Sequence, residues 1–352
     1  MYNPINFINK CQTHDECIKA VKYNGLYLQF VNDQTIEICI EAIFQNPLAL
    51  RFVNNQVLNI CTMAVELDGF ALQFVKQQTP SICLSAVKQK GLALQFVVDK
   101  TLELCSAALK RNGLALQFVT NQTFELCSIA LKENGMALQF VIIKSPILCI
   151  EAIKQNSLAI QFVDEQTEDI CLEAVKRNSD YLAFIKNQTF AICKQAIIEN
   201  TSSLQFINEK FINNNIDKIN ELYLMAVNID GISIFHIKNQ TLELCMQAVK
   251  QNASSLQYVK NQTPALCMEA VKNDPFALQY IENQTFEICM EAINKNIKVI
   301  IYVNDKKLLI DILKNMNDDH KQKLEQNRLI DEDINYLYSL INNNNEHLLL
   351  EN

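Results

Sequence analysis

Cysteine is the residue type whose number and spacing most suggest chemistry in this chain. Twelve of the 13 cysteines follow one grid with a step of 22 residues, broken by a single gap of 52 residues between Cys193 and Cys245. The grid consists of Cys17, Cys39, Cys61, Cys83, Cys105, Cys127, Cys149, Cys171, Cys193, Cys245, Cys267 and Cys289. Adjacent helices have axes about 8–10 Å apart, which is too far for a disulfide, and tetrahedral zinc needs four converging ligands. We therefore expect free, buried thiols on the grid and one exposed, reactive thiol at Cys11, which lies off it.

Histidine and glycine offer little further chemistry. The chain has four histidines, His14, His236, His320 and His347. None is paired with another at helical spacing, and His236 occupies a position held by phenylalanine elsewhere, so we expect Phe235 to enter the core in its place. All six glycines share one position in a repeating pattern, which leaves none for a phosphate-binding loop. The sequence predicts no catalytic residue, no metal site and no cofactor.

A 22-residue repeat must position all of these residues, and such repeats indicate stacked structural units. We count thirteen repeats from Thr13 to Lys306 and number them 1 to 13; repeat 6, beginning at Thr123, reads TFELCSIALKENGMALQFVIIK. Repeat 10 has Tyr223 in place of the cysteine and carries eight additional residues.

Each repeat is typical of two helices. A threonine four residues before most grid cysteines is suited to cap a helix N-terminus, and Pro80, Pro146 and Pro264 follow at the first helical position. The pattern predicts a first helix of about 12 residues. We expect the shared glycine position to end this helix with a positive φ. A second helix of about six residues, such as LALQFV, is too short and too apolar to exist without covering neighbours.

The fold class that meets these requirements is an all-α solenoid of thirteen stacked helical hairpins with terminal caps. We assign residues 1–12 to an N-terminal half-repeat cap and residues 13–306 to the array. The eight-residue insertion lies near residues 208–217, and its polar composition predicts a loop that is the weakest point of the stack. Residues 307–352 are assigned to a C-terminal helical cap with a frayed tail.

Composition excludes several classes of function. The net charge of −8 and the pI near 5.2 argue against a general binder of nucleic acids or anionic membranes. No segment is apolar enough to span a bilayer, and the N-terminus lacks the apolar stretch of a signal peptide. Thirteen cysteines without an export signal predict an intracellular, reducing setting.

The repeat T-x-E-L-C-x-x-A-V-K-x-N-G-x-A-L-Q-F-V-x-N-Q resembles a short helical repeat of unknown function that is abundant in large DNA viruses of amoebae, of the Mimivirus kind. The resemblance extends over nearly 300 residues and implies an intracellular viral protein, in the host cytoplasm or the virion. It implies no catalytic residue, because the family has no established chemistry.

Three sets of residues are candidates for contact with a partner. The first is a glutamine on the second helix, represented by Gln73, Gln95, Gln117, Gln139 and Gln161. The second is a lysine five residues after the cysteine, represented by Lys110, Lys132 and Lys154, with acids such as Glu151 expected to neutralise it at (i, i+3) spacing. The third is Asn213, Asn214 and Asn215 in the insertion.

These observations favour a non-catalytic scaffold that binds a viral or host protein. One alternative is a sequence-tolerant RNA-binding protein that uses the glutamine and lysine positions, although the negative net charge disfavours RNA. The glutamine also has an interpretation that needs no partner molecule: its side chain forms a hydrogen bond to adjacent backbone or lines the inner surface. A structural component of the virion is a further alternative.

Overall fold

The computed structural model describes residues 13–326, and within them every regular element is a helix. The α-helices span His14–Tyr23, Ile36–Gln45, Leu58–Leu67, Pro80–Gln89, Leu102–Arg111, Phe124–Glu133, Pro146–Gln155, Glu168–Arg177, Phe190–Glu199, Glu209–Asn214, Ile216–Ile229, Leu242–Gln251, Pro264–Asn273, Phe286–Lys295, Lys306–Asn315 and Asp318–Gln326. The predicted cap over residues 1–12, Cys11 within it, and the predicted tail with His347 lie outside the described residues.

The second helix of each repeat is a 3-10 helix of six residues. These helices span Gly25–Phe30, Pro47–Phe52, Gly69–Phe74, Gly91–Phe96, Gly113–Phe118, Gly135–Phe140, Ser157–Phe162, Ser179–Phe184, Thr201–Phe206, Gly231–His236, Ala253–Tyr258, Pro275–Tyr280 and Ile297–Tyr302. The predicted length of this element is confirmed, whereas the first helix has 10 residues in most repeats rather than 12.

The predicted caps are confirmed at the start of the α-helices. The Thr123 side chain accepts a hydrogen bond from the backbone N–H of Leu126 at 3.2 Å, and the equivalent threonines do the same in most repeats. Pro80, Pro146 and Pro264 occupy the first helical position, where no N–H is needed.

One extended residue joins the two helices of a repeat. Asn112 has φ −156° and ψ 108°; its N–H donates to Ala108 O at 2.9 Å, while its Oδ1 accepts from Leu114 N at 2.9 Å. This side chain therefore caps the start of the 3-10 helix while its backbone ends the α-helix. The chain turns without a left-handed residue.

The predicted role of the glycines is wrong. None of the six has a φ in the left-handed region; instead, a Cβ at each would overlap the main-chain carbonyl oxygen of an alanine in the next repeat, such as Ala86 O at 2.5 Å from a Cβ on Gly69. Glycine occupies this position because consecutive repeats approach closely there, and not because the backbone needs a positive φ.

The core of each repeat uses the same positions. In repeat 5 the α-helix buries Leu104, Cys105, Ala108 and Leu109, and the 3-10 helix buries Leu116. Repeated along the chain, these apolar faces pack against the equivalent faces of the repeats before and after. The architecture is an all-α solenoid, as predicted.

The chain divides into two compact bodies. We call them the N-terminal body, Met1–Arg177 with Phe184–Lys186, and the C-terminal body, Asn178–Ala183 with Asn187–Asn352. The division falls within repeat 8 and does not coincide with the insertion in repeat 10. Among the described residues, no helix combines the length and the apolar character that crossing a membrane would require.

The insertion in repeat 10 is helical, so the predicted loop is wrong. Asn208 Oδ1 accepts from Phe211 N at 2.8 Å and caps the helix Glu209–Asn214, after which the next α-helix begins early and runs over Ile216–Ile229. Phe211 and Ile219 are buried, which explains why this polar stretch is held against the core.

Repeat 10 also differs from the prediction at Phe235 and His236. Phe235 has 63% of its side-chain surface exposed, while His236 stays half-buried in the position of the usual phenylalanine. Ile234 is fully buried in the usual leucine position, so the register of the 3-10 helix does not shift. The expected movement of Phe235 into the core does not occur.

Gly135→Ala should destabilise the protein, because the added methyl group would overlap the Ala152 carbonyl oxygen of the next repeat. Forcing a methyl group into a tightly packed contact costs about 1–3 kcal/mol. Ser157→Ala, at the same position one repeat later, is the matched control and should change the unfolding free energy by less than about 0.5 kcal/mol. Equal stability of both variants in urea unfolding would contradict the close approach.

Candidate binding surfaces

The most regular polar contact in the structure is made by the glutamine that ends nine of the thirteen repeats, which we call the clasp glutamine. It is present as Gln34, Gln56, Gln78, Gln122, Gln166, Gln188, Gln240, Gln262 and Gln284. Gln56 Nε2 donates to Phe74 O in the next repeat at 2.8 Å and to Leu50 O in its own repeat at 3.2 Å. Its Oε1 accepts from Lys76 N at 2.9 Å. One carboxamide thus joins the backbones of two repeats.

The sequence itself contains a signal for the clasp. The clasp glutamine recurs directly before the capping threonine, as in Gln122-Thr123, at the same 22-residue step as the cysteines. The other four repeats end in lysine instead; in repeat 4 Lys100 Nζ donates to Val97 O at 2.9 Å, and in repeat 6 Lys144 pairs with Asp164 at 2.9 Å. Lys100 therefore keeps a hydrogen bond to backbone, whereas Lys144 bonds to a carboxylate instead.

A second glutamine, at the end of the α-helix, serves the glycine of the preceding repeat. Gln89 Oε1 accepts from Gly69 N at 2.8 Å, and its Nε2 donates to Leu67 O at 3.2 Å. Where proline replaces the glycine, as at Pro47, there is no N–H to satisfy, and the position of this glutamine is taken by Leu67. Four of the six glycines donate to such a glutamine, whereas Arg111 and Glu133 take its position beside Gly91 and Gly113.

The candidate glutamines of the 3-10 helices lie on the surface and bond to their own helix. Gln73, Gln95, Gln117 and Gln139 donate through Nε2 to the carbonyl three residues earlier, at 2.9–3.1 Å. Gln161 is exposed like the others. The interpretation of a glutamine bonded to adjacent backbone is thus confirmed for these four, while their contact with a partner stays a prediction.

One of the candidate lysines, Lys132, pairs with an acid of the next repeat rather than within its own helix. Lys132 Nζ lies 3.3 Å from Glu151 Oε1 of the next repeat, so Glu151 does not form the expected (i, i+3) pair with Lys154. A cleft of 450 Å³ beside Lys110 also contains Glu103 and Arg111, which mixes charges of both signs. The lysine positions do not form a purely basic track.

The candidate asparagines of the insertion end a short helix. Asn213 and Asn214 are exposed, and Asn215 is half-buried with its Nδ2 donating to Phe211 O at 3.0 Å. They are presented by an ordered turn between two helices, which fixes their position relative to the core.

The grid cysteines are free thiols with their side chains in the core, as predicted. Cys83 Sγ lies 3.5 Å from the Oε1 of its clasp glutamine, Gln78, within reach of a weak S–H hydrogen bond. Burial raises the pKa of Cys193 to about 12 and that of Cys171 and Cys289 to about 11. These thiols are uncharged at neutral pH and correspondingly unreactive. Within residues 13–326 no group of three or more His, Cys, Asp or Glu side chains is arranged to hold a metal ion.

Apolar side chains are exposed where the α-helices of the N-terminal body begin. We call this set the apolar edge: Ile36, Leu58, Val98, Leu102, Phe124, Ile142, Ile143 and Ile147. Their exposed fractions run from 56% to 79%, and equivalent residues recur along the stack because the repeats share one structure. An apolar surface of this kind is a common mark of a binding site.

The apolar edge contains a cleft where repeats 5, 6 and 7 meet. The cleft has a volume of 570 Å³ and is lined by Phe124, Ile142, Ile143 and Leu148, together with the polar groups of Gln122 and Ser145. An apolar wall with a few polar groups is suited to receive a side chain from another molecule.

Gln56→Ala should cost roughly 2–3 kcal/mol of stability, because it removes three hydrogen bonds to backbone, two of them partly buried, each worth about 0.5–1.5 kcal/mol. Gln73→Ala removes one exposed bond and is the control, with a change below about 0.5 kcal/mol. Urea unfolding measures both. A similar cost for the two variants would show that the clasp is not specific.

Alkaline pH should destabilise the array through its cysteines. Thiols with a usual pKa of 9.0 ionise in the unfolded chain before they ionise in the folded protein. Their contribution is therefore intact below pH 9 and is lost as the pH rises toward 11 or 12. Cys193→Ala should make the fall of unfolding free energy with pH less steep than in the wild type. Identical slopes for the two proteins would contradict the raised pKa.

Comparison with known families finds a match at both ends of the array. Residues 17–58 and 265–309 match the family described as "Domain of unknown function (DUF4116)". No curated protein and no solved structure matches the chain significantly. The two matched segments, in repeats 1–3 and repeats 12–13, are similar to a family of unknown function, in agreement with the predicted resemblance to a repeat of unknown function.

Proposed function

We propose that this helical-repeat scaffold is non-catalytic and binds a protein partner through the apolar edge of its N-terminal body. The observation that carries the proposal is the recurrence of exposed apolar side chains, with Phe124 56% and Ile143 79% exposed, around the 570 Å³ cleft. Protein interfaces concentrate their binding energy in a few apolar or aromatic side chains that fill such clefts.

The charges beside the apolar edge indicate the chemistry of the partner. Glu37, Glu103 and Glu125 are exposed and each directly follows an exposed apolar residue at a helix start. With the net charge of −8, this arrangement suits a partner segment that carries apolar and basic side chains together. The free buried thiols support an intracellular setting for the complex, in the host cytoplasm or a virion.

RNA is the alternative partner, and it would use the glutamine and lysine positions. The Nε2 groups of Gln95, Gln117 and Gln139 already donate to their own helices, and Lys132 is paired with Glu151. A base or phosphate would have to displace these contacts on a protein of negative net charge. The apolar edge needs no such displacement.

Substitutions on the apolar edge should abolish binding of a peptide partner. The probe is a fluorescent peptide of about 16 residues, selected for binding to the wild-type protein from a random display library. The double variant Phe124→Asp with Ile143→Asp should weaken its binding at least about tenfold, because a buried apolar anchor would become a charge. The control, Gln117→Ala with Gln139→Ala, should bind normally, and both proteins should melt as the wild type does.

Two results would overturn the proposal. One is a selected peptide that binds the edge variant as tightly as it binds the wild type. The other is binding of a single-stranded RNA at low salt that weakens steeply as salt is added and is lost in the glutamine variant. The second result would favour the RNA alternative.

A further inference from the structure

A row of half-buried phenylalanines follows the 3-10 helices of the N-terminal body. Each ring stands at the last position of its 3-10 helix, between neighbours that the core takes up completely. In repeat 5, Leu116 and Val119 are 0% and 5% exposed, whereas Phe118 between them is half-buried. Part of each ring therefore remains open to solvent in repeat after repeat. We call this set the aromatic ladder: Phe52, Phe74, Phe96, Phe118, Phe140 and Phe162.

Arg51 shows which chemical group fits between two rings of the aromatic ladder. It replaces the usual glutamine of the 3-10 helix in repeat 2. Its guanidinium carbon lies 4.5 Å from the ring centroid of Phe52 and 5.9 Å from that of Phe74 in the next repeat. Aromatic faces attract cations, and the planar guanidinium also stacks on them. Arg51 is exposed, so a guanidinium can occupy this gap while it remains in contact with water.

Glutamine takes the position of Arg51 in the following repeats, and it leaves an acceptor beside each ring. Gln117 Nε2 donates to Leu114 O at 3.0 Å, which folds the side chain back onto its own helix. Gln73, Gln95 and Gln139 do the same. Among residues 13–326 no donor bonds to the Oε1 atoms of these four glutamines. Guanidinium has five N–H donors and no acceptor, so it complements exposed carbonyl oxygens.

The charge and the spacing of the aromatic ladder suit a basic, extended chain. The 3-10 helices of repeats 3 to 7 contain no charged side chain, so no cation on them repels another cation. The net charge of −8 attracts basic segments over longer distances. Consecutive 3-10 helices pack side by side, and packed helices lie about 8–10 Å apart. An extended chain covers this distance in about three residues, at roughly 3.3 Å per residue.

We propose that the aromatic ladder binds an extended, arginine-rich segment of another protein. One guanidinium would lie between consecutive rings, as that of Arg51 lies between Phe52 and Phe74, and would donate an N–H to the glutamine Oε1 beside it. Arginines three residues apart would then meet consecutive repeats. The aromatic ladder shares no residue with the apolar edge, so this inference does not depend on the function proposed above.

The first test measures fluorescence anisotropy of labelled peptides with the full chain. A peptide with four arginines, each separated by two glycines, should bind. The same peptide with lysines should bind at least about fivefold more weakly, and four adjacent arginines at least about threefold more weakly. Neutral citrulline in place of arginine, or a proline-rich peptide without arginine, should not bind. Equal binding of any of these four, or no binding of the spaced arginine peptide up to about 1 mM, would overturn the proposal.

Removal of two rings tests the aromatic contact. Phe118→Leu with Phe140→Leu keeps apolar side chains in place and should weaken binding of the spaced arginine peptide at least about fivefold. Phe124→Leu with Phe190→Leu removes two rings from the first position of α-helices and is the control, with a change below about twofold. Melting curves show that each variant is folded. Equal affinities of the two folded double variants would contradict the assignment.

A second pair of variants fills the gaps instead of removing the rings. Gln117→Arg with Gln139→Arg places guanidinium groups where Arg51 has one, so the peptide should bind at least about fivefold more weakly. Asn55→Arg with Gln77→Arg adds the same charge at exposed positions between helices and should change the affinity less than about twofold. An equal loss in both would reduce the effect to net charge and refute the proposed site. The aspartate variant of the apolar edge should still bind the arginine peptide, so the two proposals can fail separately.

Discussion

The stack depends on the hydrogen bonds that a 3-10 helix leaves unsatisfied at its C-terminal end. In repeat 3 the carbonyl of Phe74 and the N–H of Lys76 point toward the preceding repeat, where the carboxamide of Gln56 satisfies both. Because glutamine has one donor group and one acceptor group at a fixed separation, it sets the offset between consecutive repeats. The close approach at glycine and the burial of cysteine beside the clasp are then consequences of that offset.

Local signals made the elements of this fold predictable. Thr123 and Pro80 act within the first turn of their own helices, as a cap and as the first helical residue. The caps, the repeat length and the pairs of helices could therefore be derived from the sequence alone. Phe211 shows the limit of this reasoning, because the asparagines around it suggested a loop. Its burial against the core decides the helical conformation, and the sequence does not display that contact.

The contacts between repeats were less accessible from the sequence. The glycines seemed to need an unusual φ, but the reason for them is a carbonyl oxygen 17 residues later, as with Gly69 and Ala86. The surface glutamines are conspicuous in the sequence because each is polar on an apolar helix, whereas the clasp glutamines lie among other polar residues. Only their distances to Phe74 and its equivalents distinguish a structural carboxamide from an exposed one.

The partners of the clasp glutamine are backbone atoms, and their arrangement is the same at each clasp. Such an interface does not depend on the side chains of the neighbouring repeat, so different repeats can be neighbours. Recombination between gene segments could therefore remove a repeat, duplicate one or join two distant ones without spoiling the join. Side chains on the apolar edge are then free to diverge one repeat at a time. During evolution, the number of repeats and the residues on their surface can therefore change independently of each other.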